Sequence, residues 1–529
     1  MEGSRLLPHG VEISKRLALI NAAGSALALV LNMTVIVWLQ QYLLKRVSTE
    51  EYSLLPVLAS IMMLGPLLTI VLTSGLSRYI TDAYARDDID RVTQIVSTMF
   101  LLLCGAAAAL MLCGVLVAWR IERILTIAPA QVLNARLMMF ILVSSFAFRL
   151  VMLPFGAGLI VRQRFVLDDG IKFVGQILRA ALLLVFLSLL GPRVLWVVAA
   201  TAIADVATLI ASRSASMKLV PALRFRRSHV RWALATELVS FGGWAFVSQL
   251  GDTIRSSSDP IILNKLATSM DVTCFNLGSL PYQYTQELYI RVRKTLQPAL
   301  IGMNAKVDAE RIRNTYLRIG RYSLWSVLAL VVPAIVYRHI LISLYVGPRY
   351  LVAGTVMAML LGTQVISRGN TVAEMIAVAK AEIRGLGVRT AVIQLTNLAL
   401  TLYFVGVMKL GAVGSALGTL TATLVLDPML MWPLGFRLAA TSLREWVKRT
   451  AVPGMLPAIA SAPVFIVAAA VMRPMSWTAL GVCTLLGEMA YGVVLVFCLQ
   501  PEDRSDLKEA LDVIRRQLGR GGGPRRRAH

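Results

Sequence analysis

Within the apolar stretch FGGWAFVSQLGDTIRSSSDPIILNKL, Phe241 to Leu266, stand three charged residues, Asp252, Arg255 and Asp259. Spacings of three and four put them on one helical face. Two chemistries fit that pattern. One is an ion pair closed within the helix, which lowers the desolvation cost of its own charges and does nothing more. The other is a wet, anion-binding wall in which Arg255 offers a forked donor to phosphate oxygens while the acids hold it in place. A second set follows closely: Tyr284, Glu287 and Arg291 repeat the same spacings, and Asn276, Gln283 and Gln286 add neutral amides. Two successive polar faces favour a cavity over isolated pairs.

Other charges are scattered through apolar runs. Arg149, Arg179 and Arg368 have no acid within a helical turn, so each snorkels to an interface or finds a partner on another helix or on a ligand. Asp205, Glu374, Asp427 and Glu488 are candidates for proton or cation coupling, or for buried structural pairs. No catalytic constellation emerges. The four histidines are dispersed and the five cysteines form no C-x-x-C pair, so neither a metal site nor a disulfide framework is indicated. No nucleophile with a base and no phosphate-cradling loop is present, and no cofactor is expected.

What must position these groups is a membrane bundle. The chain has 529 residues, 57% of them hydrophobic, with a mean hydropathy of +0.70, which places it in the polytopic all-α membrane class. In hydrocarbon a central charge costs about 2.5–3.5 kcal/mol on insertion scales, so intramembrane charges turn inward. About fourteen apolar segments reach spanning length, among them Thr236–Lys265, Val272–Arg291, Tyr322–Val346 and Leu351–Ala379. With the N-terminus inside, most of the 53 Lys and Arg fall in cytoplasmic segments. Both termini are then cytoplasmic. The net charge of +24 reflects topology and attraction to anionic membrane lipids, without nucleic acid. After Pro501, EDRSDLKEALDVIRRQL repeats Leu507, Leu511, Ile514 and Leu518 at helical spacing, predicting a short surface helix, and GRGGGPRRRAH after it is expected to be disordered.

The sequence also matches itself. ARDDIDR at Ala85–Arg91 falls on AKVDAER at Ala305–Arg311, and LLKRVSTEEY falls on ILNKLATSMDV at the same offset, pairing Glu51 with Asp271. At nearly that offset Arg149 falls on Arg368. These matches predict a duplicated six-span unit: a lobe at residues 1–220, a second at 221–440, an added helix pair at 441–500 and a basic tail at 501–529.

At this point the chain resembles the multidrug/oligosaccharidyl-lipid/polysaccharide flippase superfamily, and within it the polysaccharide-transporter branch. The likeness covers roughly residues 15–435. It rests on LKRVSTEEY, GLSRYITDAYARDD, SFGGWAFVSQLGDTIRSSSDPIIL, LYVGPRYLVAG and GAVGSALGTL in that order, with Ser53 where the branch often has glycine. The resemblance implies a flippase of the cytoplasmic (inner) membrane that moves a lipid-linked glycan, on a polyprenyl diphosphate, for cell-surface polysaccharide synthesis. Other glycan-assembly membrane proteins are its implied partners. The cavity wall would comprise Asp252, Arg255, Asp259, Gln283, Tyr284, Glu287, Arg291, Arg149 and Arg368, with Asp205, Glu374 and Asp427 available for ion coupling. Two alternatives stay open, a cation-coupled drug or metabolite exporter of the same superfamily and a membrane scaffold for glycan assembly.

Overall fold

The computed structural model describes residues 34–35, 37–63, 65, 69, 76–162, 164–235, 253, 257–305, 309–380 and 382–505, with backbone alone at 77–78, 85, 160, 165–166, 288, 291–305, 379 and 383. Asp252, Arg255, the side chain of Arg291 and the tail from 506 onward lie outside the described residues. All regular structure among the described residues is helical. The chain forms two compact units, Met1–Thr273 and Cys274–His529.

In the first unit, α1 (Thr49–Met62) is capped by Ser48, whose hydroxyl accepts the Glu51 N–H at 3.2 Å. α2 (Leu76–Ala85) leads through a turn with Asp87 at φ 59° into α3 (Ile89–Trp119), capped by Asp88 on the Arg91 N–H at 2.9 Å. Each such cap contributes about 1 kcal/mol. α4 (Val132–Met152), α5 (Phe165–Leu189) and α6 (Val194–Leu219) complete the set, with α6 packed on α4 and α5 and α3 on α4. Glu51 does more than open α1: its carboxylate accepts the N–H of Val194 at 2.8 Å and so caps α6 as well. The core beneath is Leu76, Ile80, Val96, Met99 and Leu223.

α7 (Ser269–Ala305) is a continuous helix of 37 residues. Its cap repeats that of α1: the Thr268 hydroxyl accepts the Asp271 N–H at 3.2 Å, at positions that align between the two matched segments. In the second unit follow α8 (Ala309–Val336), α9 (Arg338–Val346), α10 (Val352–Arg368), α11 (Val372–Ala379), α12 (Ile383–Leu402), α13 (Gly411–Leu426), α14 (Val452–Met472) and α15 (Trp477–Cys498). α8 packs on α10 and α14, α13 on α10 and α12, and α14 on α15.

Among the described residues nine helices are long and apolar enough to cross a membrane. Fourteen spans therefore remain a proposal, because parts of three expected spans lie outside the described residues. Two expected spans take another form. Val272–Arg291 lies within α7, whose polar residues keep it out of the apolar set. Leu351–Ala379 is interrupted after Arg368 and resumes as α11. A third, Tyr322–Val346, begins earlier as a helix, at Ala309, and turns at Tyr337. Helix propensity carries α8 through the polar ERIRNTYLRIGR stretch, where hydropathy gives no signal.

The chain's last described residues are fastened to α8. Asp503 forms a buried ion pair with Arg321, both side chains only 1% exposed. Its carboxylate also accepts the Tyr322 hydroxyl at 2.7 Å and the Gln500 N–H at 2.9 Å. Arg321 donates its second nitrogen to the Arg449 carbonyl at 2.5 Å.

Candidate functional site

α10 stops at Gly369, Asn370 and Thr371, where the helical ladder tightens to i→i−3 bonds: the Asn370 N–H donates to the Ser367 carbonyl at 3.2 Å and the Thr371 N–H to the Arg368 carbonyl at 3.3 Å. An interrupted helix in a bilayer is tolerated only when its freed backbone groups find partners, and here side chains supply them. The Trp446 indole donates to the Gly369 carbonyl at 3.1 Å and the Tyr289 hydroxyl to the Thr371 carbonyl at 3.0 Å. Asn370 accepts the Tyr316 hydroxyl at 2.6 Å and donates to the Met431 carbonyl at 2.8 Å. Glycines allow the approach. A Cβ at Gly369 would stand 2.6 Å from the Trp446 ring, and one at Gly435 would stand 2.1 Å from Asn370 Oδ1.

Arg368, the last residue of α10, sits at the edge of this break and is 4% exposed. Its Nε donates to Gln364 Oε1 at 2.6 Å, one turn back on the same helix, and its Nη2 donates to Gln286 Oε1 at 2.7 Å from α7. The guanidinium carbon lies 4.1 Å from the centre of the Tyr289 ring, a cation–π contact worth about 2 kcal/mol when desolvated. Gln286 is fixed in turn by donating to the Tyr282 hydroxyl at 2.9 Å. The two amide oxygens fix the plane of the guanidinium, a forked donor of the kind that suits phosphate oxygens.

One residue before the arginine, Ser367 donates to Asp427 Oδ2 at 2.7 Å. Asp427 opens a π-helical turn, Asp427–Met431, at the end of α13. Such turns widen the helix by one residue and recur at functional sites.

The remaining expected residues are placed as follows. Tyr282, Gln286 and Tyr289 present the face of α7 that meets Arg368. Tyr284 and Glu287 lie on the far side of the helix by their register. Glu287 is exposed, and the half-buried Tyr284 keeps its hydroxyl oxygen out of solvent. Gln283 is exposed and donates to Ser279 Oγ on its own helix at 2.9 Å. Asp259 is buried and Glu374, on α11, half-buried. In the first unit Arg149 and Asp205 are exposed, and Asp205 on α6 lies within the electrostatic reach of Arg179 on α5 and Arg149 on α4. Tyr289, Gln364 and Ser367 were absent from the sequence-predicted site. Gln364 was within reach of sequence reasoning, as the Q-x-x-x-R spacing that joins residues one turn apart. Tyr289 and Ser367 depend on tertiary contacts.

Comparison with known proteins gives a consistent picture. The family model described as "Polysaccharide biosynthesis protein" matches residues 19–301. The uncharacterized membrane protein EpsK of Bacillus subtilis (strain 168) is 22% identical over 246 residues, 46% of this chain and 48% of that one. The match thus spans about half the length of that relative. Among solved structures, the lipid II flippase MurJ in its inward closed conformation superposes with a TM-score of 0.67 at 12% identity, covering 90% of this chain and 98% of that one. An inward-facing multidrug resistance MATE family transporter of the MOP superfamily gives 0.63 at 14% identity over 78% of this chain and 95% of the other. At these identities the likeness is one of fold.

Proposed function

We propose, from the premise that this chain belongs to the polysaccharide biosynthesis protein family, that it is a multi-pass flippase of the cytoplasmic membrane. Its cargo is an oligosaccharide on a polyprenyl diphosphate, moved between leaflets by alternating access. Both termini are cytoplasmic in this reading. The lobes at 1–220 and 221–440 are the moving bodies, and the pair at 441–500 is an addition to them.

The observation that carries the proposal is Arg368. A diphosphate needs forked cationic donors, and a buried guanidinium oriented by Gln364 and Gln286 beside an aromatic face meets that need. The fold shared with a lipid II flippase supports a lipid-linked cargo. Asp252, Arg255, Asp259 and Arg291 are the further cargo contacts in this proposal. Arg255 remains the sequence's second candidate for phosphate contact.

The test pairs translocation of lipid-linked glycan in vesicles with membrane abundance for Arg368→Lys. Lysine keeps the charge and loses the fork, so transport falls by about tenfold or more while abundance stays near wild type. Transport at the wild-type rate would reject Arg368 as the phosphate contact. A cation-coupled exporter is the second reading, favoured by the Asp427–Ser367 bond beside Arg368. It predicts that Asp427→Asn abolishes ion dependence, and ion-independent transport by the wild type would dismiss it.

A further inference from the structure

The start of α12 borders an open cleft of about 490 Å³ lined by Arg384, Gly385, Val388, Arg389, Val392 and Leu430. Leu430 belongs to the π-helical turn Asp427–Met431, so the cleft lies wholly within the second unit. It shares no residue with the Arg368 cluster. Nearby cations are matched: Arg437 pairs with Glu382, Arg449 lies 3.3 Å from Glu445, and Lys380 donates to the Leu438 carbonyl at 2.8 Å. The cleft differs. Among the described residues Arg384 forms no hydrogen bond or ion pair, and Arg389 uses a single N–H, on the Gly385 carbonyl of its own helix at 2.8 Å. Most of the ten guanidinium N–H donors that the two residues carry are therefore uncommitted.

Depth decides what they face. Arg384 opens the apolar span Arg384–Val407, and Arg389 follows little more than a turn later, so both guanidiniums lie at the level of lipid headgroups. From Arg384 down the helix, Val388, Val392 and Leu395, successive on one face, are 60%, 44% and 62% exposed. A cationic mouth above a strip of exposed aliphatic side chains complements one class of molecule, an anionic phospholipid with its phosphate between the arginines and an acyl chain along the helix. We propose that this cleft is a binding site for an acidic phospholipid of the surrounding bilayer.

The test titrates the purified full chain in mild detergent with phosphatidylglycerol and counts bound lipid by native mass spectrometry. Arg384→Gln with Arg389→Gln weakens binding by about tenfold or more, since each cation near a charged lipid surface contributes appreciably. Arg444→Gln with Lys448→Gln removes two exposed cations outside the cleft and leaves binding unchanged. Equal loss in both pairs would reduce the site to diffuse surface charge, and no loss in the first would remove it; either overturns the proposal. Val388→Gln keeps both cations and interrupts the apolar strip, so it also weakens binding, and wild-type affinity there would rule out a lipid in favour of bare phosphate recognition. If the double cleft variant does not purify intact, Arg384→Gln alone serves, because that exposed side chain has no partner among the described residues to lose.

Discussion

Arg149 in the first unit and Arg368 in the second fall on each other when the sequence is aligned with itself, yet their settings differ. Arg149 is exposed on α4, sharing the field of Asp205 with Arg179. Arg368 is buried and held by two amides and a tyrosine ring. The backbone accounts for much of this. α4 also gives way, at the 3-10 turn Leu153–Gly156 that contains Pro154, but several residues beyond the arginine. Around that turn the contacts are weaker: Arg213 lies over the Phe155 ring at 4.8 Å and reaches the Met152 sulfur at 3.8 Å. In the second unit the break follows Arg368 at once and is surrounded by hydroxyl, amide and indole groups. A shared charge thus becomes a candidate site only where the helix around it is interrupted and polar side chains replace its lost hydrogen bonds.

Substituting both arginines breaks or sharpens this contrast with the largest expected effect. Arg368→Ala should abolish measurable translocation, a loss on the order of a hundredfold or more for removing a charge-assisted donor pair, while Arg149→Ala retains most of it. Equal losses would mean that both arginines serve the cargo alike. Next in size is the clasp at Asp503, whose carboxylate pairs with the buried Arg321. Asp503→Ala strands that charge and should lower stability by about 3–5 kcal/mol, read as a fall in melting temperature of the detergent-solubilised protein. An unchanged melt would show that buried arginines here need no acid. The two helix interruptions can be compared by adding one methyl group to each. Gly369→Ala meets the Trp446 ring at 2.6 Å, an overpacking that costs about 1–3 kcal/mol. Gly156→Ala meets nothing within 4 Å and should melt as wild type; a larger shift at Gly156 would reverse the ranking of the two breaks.

The smallest effect belongs to the exposed pair Glu122–Arg136, 3.0 Å apart in the first unit. Its own backbone N–H, and then Arg136, hold the Glu122 carboxyl below its usual value. A carboxyl lowered on folding stabilises above its unfolded pKa and loses that contribution as pH falls through the folded one. Glu122→Gln should therefore make a barely detectable difference at neutral pH that vanishes in acid. A difference growing as the pH drops would contradict the sign.

Helices were legible wherever apolar residues fill the width of a bilayer, as in Ile89–Trp119 and Trp477–Cys498, because composition alone reports burial in lipid. Interruptions were not. The polar SRGNT at Ser367–Thr371 is a dip within an otherwise apolar run, but nothing local tells that the helix breaks there or that Trp446 and Tyr289 will arrive to satisfy the freed carbonyls. The caps at Ser48 and Thr268 escaped the sequence reading, although S-x-x-E and T-x-x-D are local signals within the matched segments. The partners of Arg368 were half legible. Gln364 lies one turn away in sequence, whereas Gln286 and Tyr289 reach it only through the packing of α7 on α10.

The interruption after Arg368 has a consequence for the order in which the protein can be made. The donors to its carbonyls come from Tyr289, which precedes it along the chain, and from Trp446, which follows the whole of α12 and α13. During synthesis α10 enters the bilayer with the Gly369 carbonyl unanswered, and stays so until the ribosome has delivered the segment Leu443–Trp446. An unsatisfied backbone group in lipid costs several kcal/mol, so a nascent chain halted before Trp446 is a poor membrane resident. The second unit matures only after the last of these donors emerges, which makes the interval between Arg368 and Trp446 the stretch of translation during which insertase and quality-control machinery have most to hold.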